Sequence, residues 1–333
     1  MRKILPSNRI SKLVRSQIVN NRLLGLPNFV QIEVTTKCNL RCKMCMRSVE
    51  EGVLNSDMTI SLFDSIISRL KYPTQFVNFI GLGEPLLNPQ IFSMIEHAKK
   101  RGFKVSLIDN FTLMDQDKSL SLIESGLDYL FVSIDSASKS TFEKIRTGAS
   151  FDKVIENIKL FVATKNQTNA KKPFFIFKTT ISKDNFSEIP QLIKLGEELG
   201  ADGFDFGKQI SQKETYVNDS SLSLNIEDLP KSKLSIDLCE LSKTYGCTAG
   251  KGCYITFDGK VMPCGHSMMI MPRKRCSEMQ LGDLTRDTID NIWRSAKYRR
   301  FRTGLKSGER LPSCKKCPSW RENFKIKSAS SSI

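Results

Sequence analysis

Three cysteines crowd one short stretch of the chain: Cys38, Cys42 and Cys45, in the run CNLRCKMC. The spacing is three residues and then two. Three thiolates on one loop can each take one iron of a cubane cluster and leave the fourth iron open. Structural zinc instead takes four donors from two CxxC knuckles, so this spacing argues against it. Lys37, Arg41 and Lys43 lie among the cysteines. Nearby cations favour the thiolate and offset the negative charge of a thiolate-bound cluster. A second set lies far downstream: Cys247, Cys264 and the pair Cys314-x2-Cys317, with Cys239, Cys253 and Cys276 around them. Four cysteines in two pairs suit zinc as well as iron. The start, MRKILPSNR, is basic but broken by Pro6 before any signal-peptide apolar stretch forms, which predicts a cytoplasmic chain. In that compartment, ten cysteines point to metal ligation or redox chemistry before disulfides.

The elements that position these residues alternate. Strands are predicted at 29–36, 76–81, 104–109, 129–135, 174–182 and 203–207, and helices at 59–70, 90–101, 115–125, 139–147, 151–164 and 186–199. Near-continuous apolar strands separated by amphipathic helices mean a parallel sheet with helices outside. About six such units predict an α/β fold, a partial (β/α)6 barrel, rather than a complete eightfold one. Chemistry in such folds sits at the C-terminal strand ends, and Cys38 follows the first strand directly. The predicted layout is a basic amphipathic helix within 1–28, a barrel over 29–208 and a linker over 209–245. A small Cys-rich domain follows over 246–322, and then a flexible tail over 323–333. In the small domain only a hairpin, 254–264 with Asp258-Gly259 at its turn, and one helix, 285–300, stand out. Trp293 keeps helical spacing with Ile289 and Ile292 and reads as core. His97 reads as a surface residue on its helix, and His266 as a possible neighbour of the second cysteine set.

The chain has 333 residues with 40% apolar and 26% charged side chains, which excludes wholesale disorder and fibrous folds. No apolar run approaches the roughly 20 residues of a membrane span. The net charge of +16 is concentrated at the ends: residues 1–32 contribute +6 and residues 286–333 contribute +9. Such ends fit a solvated surface, or an anionic partner such as a phosphorylated substrate, an acidic peptide, RNA or a membrane surface. A metal-stapled nucleic-acid binder would use them too, but it leaves the glycine-rich run GLGEP at 81–85 without a purpose.

CNLRCKMC resembles the CxxxCxxC motif of the radical S-adenosylmethionine (SAM) superfamily. The resemblance implies a 4Fe–4S cluster on Cys38, Cys42 and Cys45. Its open iron chelates the amino and carboxylate groups of SAM, one electron cleaves the sulfonium, and a 5′-deoxyadenosyl radical removes a substrate hydrogen. That family usually places an aromatic residue before the third cysteine; Met44 stands here, and its backbone would meet the adenine. Gly81-Leu82-Gly83-Glu84-Pro85 resembles the family's GGEP-type turn. Gly83 then lets the backbone approach the methionyl group and Glu84 holds its ammonium. Ser133 and Asp135 resemble positions that bind the SAM ribose or carboxylate, although Asp135 could instead cap the next helix. Arg146, in KIRTG, resembles an arginine near SAM in several subfamilies.

CTAGKGCYITFDGKVMPC, LGDLTRDTIDNIW and CKKC resemble the C-terminal extension called SPASM, or its shorter twitch form. No cysteine follows Cys317, so the resemblance implies one auxiliary 4Fe–4S cluster, on Cys247, Cys264, Cys314 and Cys317. Cys253 and Cys276 are rival ligands, Cys253 reading better as a small core residue. A fully ligated auxiliary cluster takes electrons rather than substrate. That points to an oxidoreductase that dehydrogenates an alcohol or amine carbon, such as a sugar or aminocyclitol. Glu33, Lys178, Asp205 and Lys208, on or just after predicted strands, are the candidate proton acceptors. The second reading is radical modification of a peptide (thioether, carbon–carbon link or epimerisation). The 28 residues before the first strand leave little room for a peptide-recognition domain. The expected partners are a small-molecule or peptide substrate and an electron donor such as flavodoxin or ferredoxin.

Overall fold

The computed structural model describes residues 27–49, 52–70, 76–208, 229–230, 232–237, 249–265, 277–307, 311, 314 and 317. The expected helix within 1–28, most of 209–245, Cys239, Cys247, His266, Cys276 and the tail from 323 lie outside these residues.

The strands are β1 (Val30–Ile32), β2 (Phe76–Phe79), β3 (Lys104–Asp109), β4 (Tyr129–Ser133), β5 (Phe174–Ile181), β6 (Gly203–Lys208), β7 (Ser235–Asp237), β8 (Cys253–Ile255), β9 (Lys260–Met262) and β10 (Gly282–Asp283). The helices are α1 (Met46–Val49), α2 (Ile60–Arg69), α3 (Ile91–Lys100), α4 (Gln116–Glu124), α5 (Lys139–Ile145), α6 (Phe151–Gln167), α7 (Ile189–Glu198), α8 (Ile289–Arg294) and α9 (Ala296–Ser307). Side-chain oxygens of Thr59, Asp115, Ser150 and Thr288 cap α2, α4, α6 and α8 by accepting a backbone N–H of the first turn. These four helices thus begin where apolar periodicity and a capping residue coincide.

All ten strands form one sheet, in the order β10-β9-β8-β1-β2-β3-β4-β5-β6-β7. Strands β1 to β7 are parallel neighbours, and β8 adds in parallel to the other side of β1, with Val30 opposite Cys253. The partial (β/α)6 barrel is therefore present, and the C-terminal hairpin is welded to its edge. Three expectations change. The stretch read as a linker contributes β7, a seventh parallel strand. The C-terminal helix is two helices, broken at Ser295, whose side chain accepts from Tyr298 N at 3.2 Å and starts α9. Finally, the strands are not apolar on both faces.

The faces separate by alternation. Phe79 packs on Phe63 of α2, with ring centroids 5.7 Å apart, so Phe79 and its register partner Ile32 face the helices. Val77, Val105, Leu107, Leu130, Val132, Phe175 and Phe177 are fully buried in the same core. Each such side chain contributes about 1.5–3 kcal/mol by leaving water. The intervening positions carry the partly buried polar residues Gln31, Asn78, Lys178, Thr180, Asp205 and Asp237 among apolar ones such as Ile108, Phe131 and Ile176. They line the concave face that a barrel of this kind leaves for ligands.

Candidate active site

The cysteine loop leaves β1 and is tied down at both flanks. Arg41 N–H donates to Thr147 O at 2.9 Å and Lys43 N–H to Ile145 O at 2.8 Å, which binds the loop to the end of α5. Lys43 also pairs with Asp184 at 2.7 Å, and Lys37 with Asp57 at 2.6 Å. Cys42 is buried, and Cys38, Cys45 and Met44 are half-buried. None of the described cysteines forms a disulfide. Burial pushes all three loop thiols above their ordinary pKa, and the charges of Arg146 and, for Cys38 and Cys45, Arg47 pull against it.

Arg47 is buried, and the Arg146 side chain is 12% exposed. Arg146 Nε donates to Asp135 Oδ2 at 2.6 Å, and its Nη1 lies 4.0 Å from Cys42 Sγ. Burial alone would discharge Arg146, but Asp135 and Cys42 outweigh it and the net shift is upward. Asp135 is fully buried and its other oxygen accepts Thr180 N–H at 2.7 Å. The alternative of a helix cap fails, because Ser138 is the N-cap of α5. Asp135 instead aims Arg146 at the cysteines. Ser133, 7% exposed, ends β4 two residues earlier.

The GLGEP turn follows β2 and rests on the start of the cysteine loop. Glu84 N–H donates to Lys37 O at 2.7 Å. A Cβ on Gly83 would overlap Thr35 O and reach 2.7 Å from Lys37 O, so only glycine permits this approach. Glu33 is fully buried beneath the turn and accepts Leu82 N–H at 3.1 Å. Glu84 is buried, and its two oxygens accept Leu86 N–H at 3.2 Å and Asn110 N–H at 2.8 Å. Burial, and then Asp109 beside it, raise the Glu84 pKa well above the carboxylate range. Burial lifts Asp109 to about 6. Asp109 Oδ1 accepts Phe111 N–H at 2.6 Å while Oδ2 has no donor, so a proton shared by the two carboxyls is the state that satisfies both. Phe111 pays for that turn with a left-handed φ of 62°.

Lys178 and Asp205 are paired at 2.7 Å across β5 and β6. In register they form a row, Ser133, Lys178, Asp205 and Asp237, across β4 to β7. Lys208 pairs through its backbone with Ile181; its side chain lies outside the described residues. On the other side of the sheet, Gly265 N–H donates to Gln31 Oε1 at 3.2 Å. That contact ties the residue after Cys264 to β1, and Cys264 itself packs against the main core. Cys314 packs against Tyr254, Met262 and Met279, and Cys317 N–H donates to Cys314 O at 3.2 Å. Cys253 is fully buried in β8, and burial alone lifts its pKa to about 12, as befits a core residue. Trp293 is core as expected, and His97 is half-exposed and paired with Asp64 at 2.6 Å.

The residues fit an iron–sulfur cluster. Three thiols lie in one loop near the guanidinium groups of Arg47 and Arg146, and one buried donor there, Arg47 Nε, has no acceptor. Among the described residues no three His, Cys, Asp or Glu side chains close on a point that a single ion would fill. A model described as the radical SAM superfamily matches residues 32–195, and one described as an iron–sulfur cluster-binding domain, SPASM, matches residues 247–318. The chain is a radical SAM enzyme with a C-terminal SPASM domain. This radical SAM enzyme is similar to a tungsten-containing aldehyde ferredoxin oxidoreductase cofactor-modifying protein from Pyrococcus furiosus, with 26% identity over 316 residues, 87% of this chain and 86% of that one. It is 26% identical to an AdoMet-dependent heme synthase from Methanosarcina barkeri over 321 residues, 84% of this chain and 86% of the other. Its fold matches that of Streptococcus suis SuiB bound to S-adenosylmethionine, with a TM-score of 0.64 and 16% identity over 87% of this chain and 71% of that one. The radical SAM enzyme's cofactors are 4Fe–4S clusters and SAM. Among the described residues, no helix is long and apolar enough to cross a membrane.

Two residues of this site escaped the sequence reading. Arg47 lies two positions after the third cysteine, and Asp109 ends an otherwise apolar strand beside the GLGEP turn. A charged residue at a buried strand or loop end was the available signal for both.

Proposed function

We propose that this enzyme oxidises a polar, non-peptide substrate at a carbon bearing a hydroxyl or amino group. The observation that carries the reading is the register row of Ser133, Lys178, Asp205 and Asp237 across β4 to β7, with Lys178 and Asp205 paired at 2.7 Å. When bound, the first cluster and SAM supply a 5′-deoxyadenosyl radical that takes one hydrogen atom, and the auxiliary cluster supplies a destination for the second electron. Cys38, Cys42 and Cys45 would hold the first cluster; Cys264, Cys314 and Cys317, with Cys247, would hold the second. Met44, Gly83, Glu84, Ser133 and Arg146 surround the SAM side of the loop, with Asp135 positioning Arg146. Of the proton-acceptor candidates, Glu33 is committed to the turn beneath Leu82, so the Asp205 carboxylate is the better acceptor. Lys178 holds it in place at 2.7 Å. Hydroxyl and amino substituents suit a row of Ser133, Lys178, Asp205 and Asp237. The names of the two sequence relatives, a heme synthase and a cofactor-modifying protein, favour a non-peptide substrate.

The test is a single turnover with deuterated polyols, aminocyclitols and amines, read by deuterium in 5′-deoxyadenosine and by electron spin resonance of the auxiliary cluster. The expected result is one oxidised product per SAM cleaved, with the auxiliary cluster reduced. Cys314→Ala with Cys317→Ala should still cleave SAM but give no oxidised product. Wild-type product yield from that double variant would mean redox-neutral chemistry instead.

A further inference from the structure

Arg47 is a buried charge that the expected machinery does not use. It sits in α1, two residues past Cys45, and is 7% exposed. Its guanidinium is fixed from one side: Nη1 donates to Thr36 O, and Nη2 donates to Asn55 Oδ1 at 2.6 Å. Its Nε–H is buried and has no acceptor. No carboxylate pairs with it among the described residues, in contrast to Arg146, which Asp135 neutralises at 2.6 Å. Its charge acts on the Cys38 and Cys45 sulfurs, and its backbone N–H donates to the Cys45 sulfur. Among the described residues nothing neutralises this cation and one donor is left over, an arrangement that an anionic partner completes.

We propose that Arg47 is a positioning residue that sets the reduction potential of the first cluster, through its charge and its spare Nε–H. Cluster potentials follow net charge and hydrogen bonds to the sulfurs. Reduction adds a negative charge, so a fixed cation beside Cys38 and Cys45 favours the reduced state. Asn55 acts through Arg47 by locking Nη2. This role is independent of the substrate and holds whether or not the oxidation proposed above is correct.

The experiment is a potentiometric titration of the reconstituted holoenzyme, followed by spin resonance of the first cluster, for wild type, Arg47→Gln, Arg47→Lys, Asn55→Ala and Arg41→Gln. Arg41 is exposed on the same loop and controls for net charge. Arg47→Gln should lower the reduced-to-oxidised ratio at fixed potential about tenfold, which is 59 mV for one electron. Arg47→Lys should shift it less, Asn55→Ala less again in the same direction, and Arg41→Gln hardly at all. A wild-type potential in Arg47→Gln with a fully loaded cluster would overturn the assignment, as would an equal shift in Arg41→Gln. If the Arg47 variants do not fold, Asn55→Ala decides: a downward shift supports the role and an unchanged potential refutes it.

Discussion

The two cysteine sets are built on opposite principles. The first is wired by charge: Cys38, Cys42 and Cys45 lie near the guanidinium groups of Arg47 and Arg146, and their loop is anchored to the end of α5 and to the GLGEP turn by backbone hydrogen bonds. The second is wired by packing: Cys314 lies against Tyr254, Met262 and Met279, and Cys264 hangs from a two-strand hairpin. The difference matches the two tasks proposed above. A cluster that must take an external electron and hold a zwitterionic ligand gains from fixed positive charge. One that only passes electrons needs a closed, apolar seat. The contrast also separates what each region needs to fold. The first loop is held to the barrel by backbone hydrogen bonds, whereas in the second set, among the described residues, Cys264 and Cys314 pack against apolar core side chains.

The sharpest way to break this contrast is to unbalance the charge at the first site. Asp135→Ala leaves Arg146 buried without its partner and removes the acceptor for Thr180 N–H. A buried charge left uncompensated costs about 3–5 kcal/mol. Denaturant unfolding of the variant should show that loss, and the first cluster should bleach while the second persists. An unchanged midpoint would mean that Arg146 does not depend on Asp135.

A smaller effect follows from the buried carboxyl pair. Burial raises Asp109 from an ordinary carboxylate value to about 6. Its folded pKa is therefore above its unfolded one, so its stabilising contribution is complete below about pH 4 and is lost as pH rises through about 6. Glu84 is shifted in the same direction. Asp109→Asn should flatten the stability profile over that window by about 1–3 kcal/mol, leaving the variant relatively more stable at pH 7 than at pH 4. A pH profile parallel to wild type would show that the pair holds no shared proton.

Much of the barrel could be read in advance, because apolar runs and capping residues coincide: Thr59, Asp115 and Ser150 each precede a periodic segment. The cysteine loop was equally legible, since its spacing is local. What could not be read depends on partners far apart in sequence. Strand β7 is three residues in a polar stretch and exists because β6 offers it an edge. The concave row of Lys178, Asp205 and Asp237 is a property of register, not of any one strand. Asp135 faces Arg146 only once α5 folds back over the loop. Glu84 lies in the turn after β2 and Asp109 ends β3, and nothing in either motif announces that they share a buried site.

The most direct test of the two-site account is the iron, sulfide and zinc content of the anaerobically reconstituted protein, with absorption and spin-resonance spectra. Wild type is compared with the Cys38→Ala, Cys42→Ala, Cys45→Ala triple variant. The account predicts about eight irons per chain in the wild type and about four in the variant, the remainder being the auxiliary 4Fe–4S cluster. About four irons falling to none, with or without zinc in the second site, would contradict it and remove the electron acceptor on which the proposed oxidation rests.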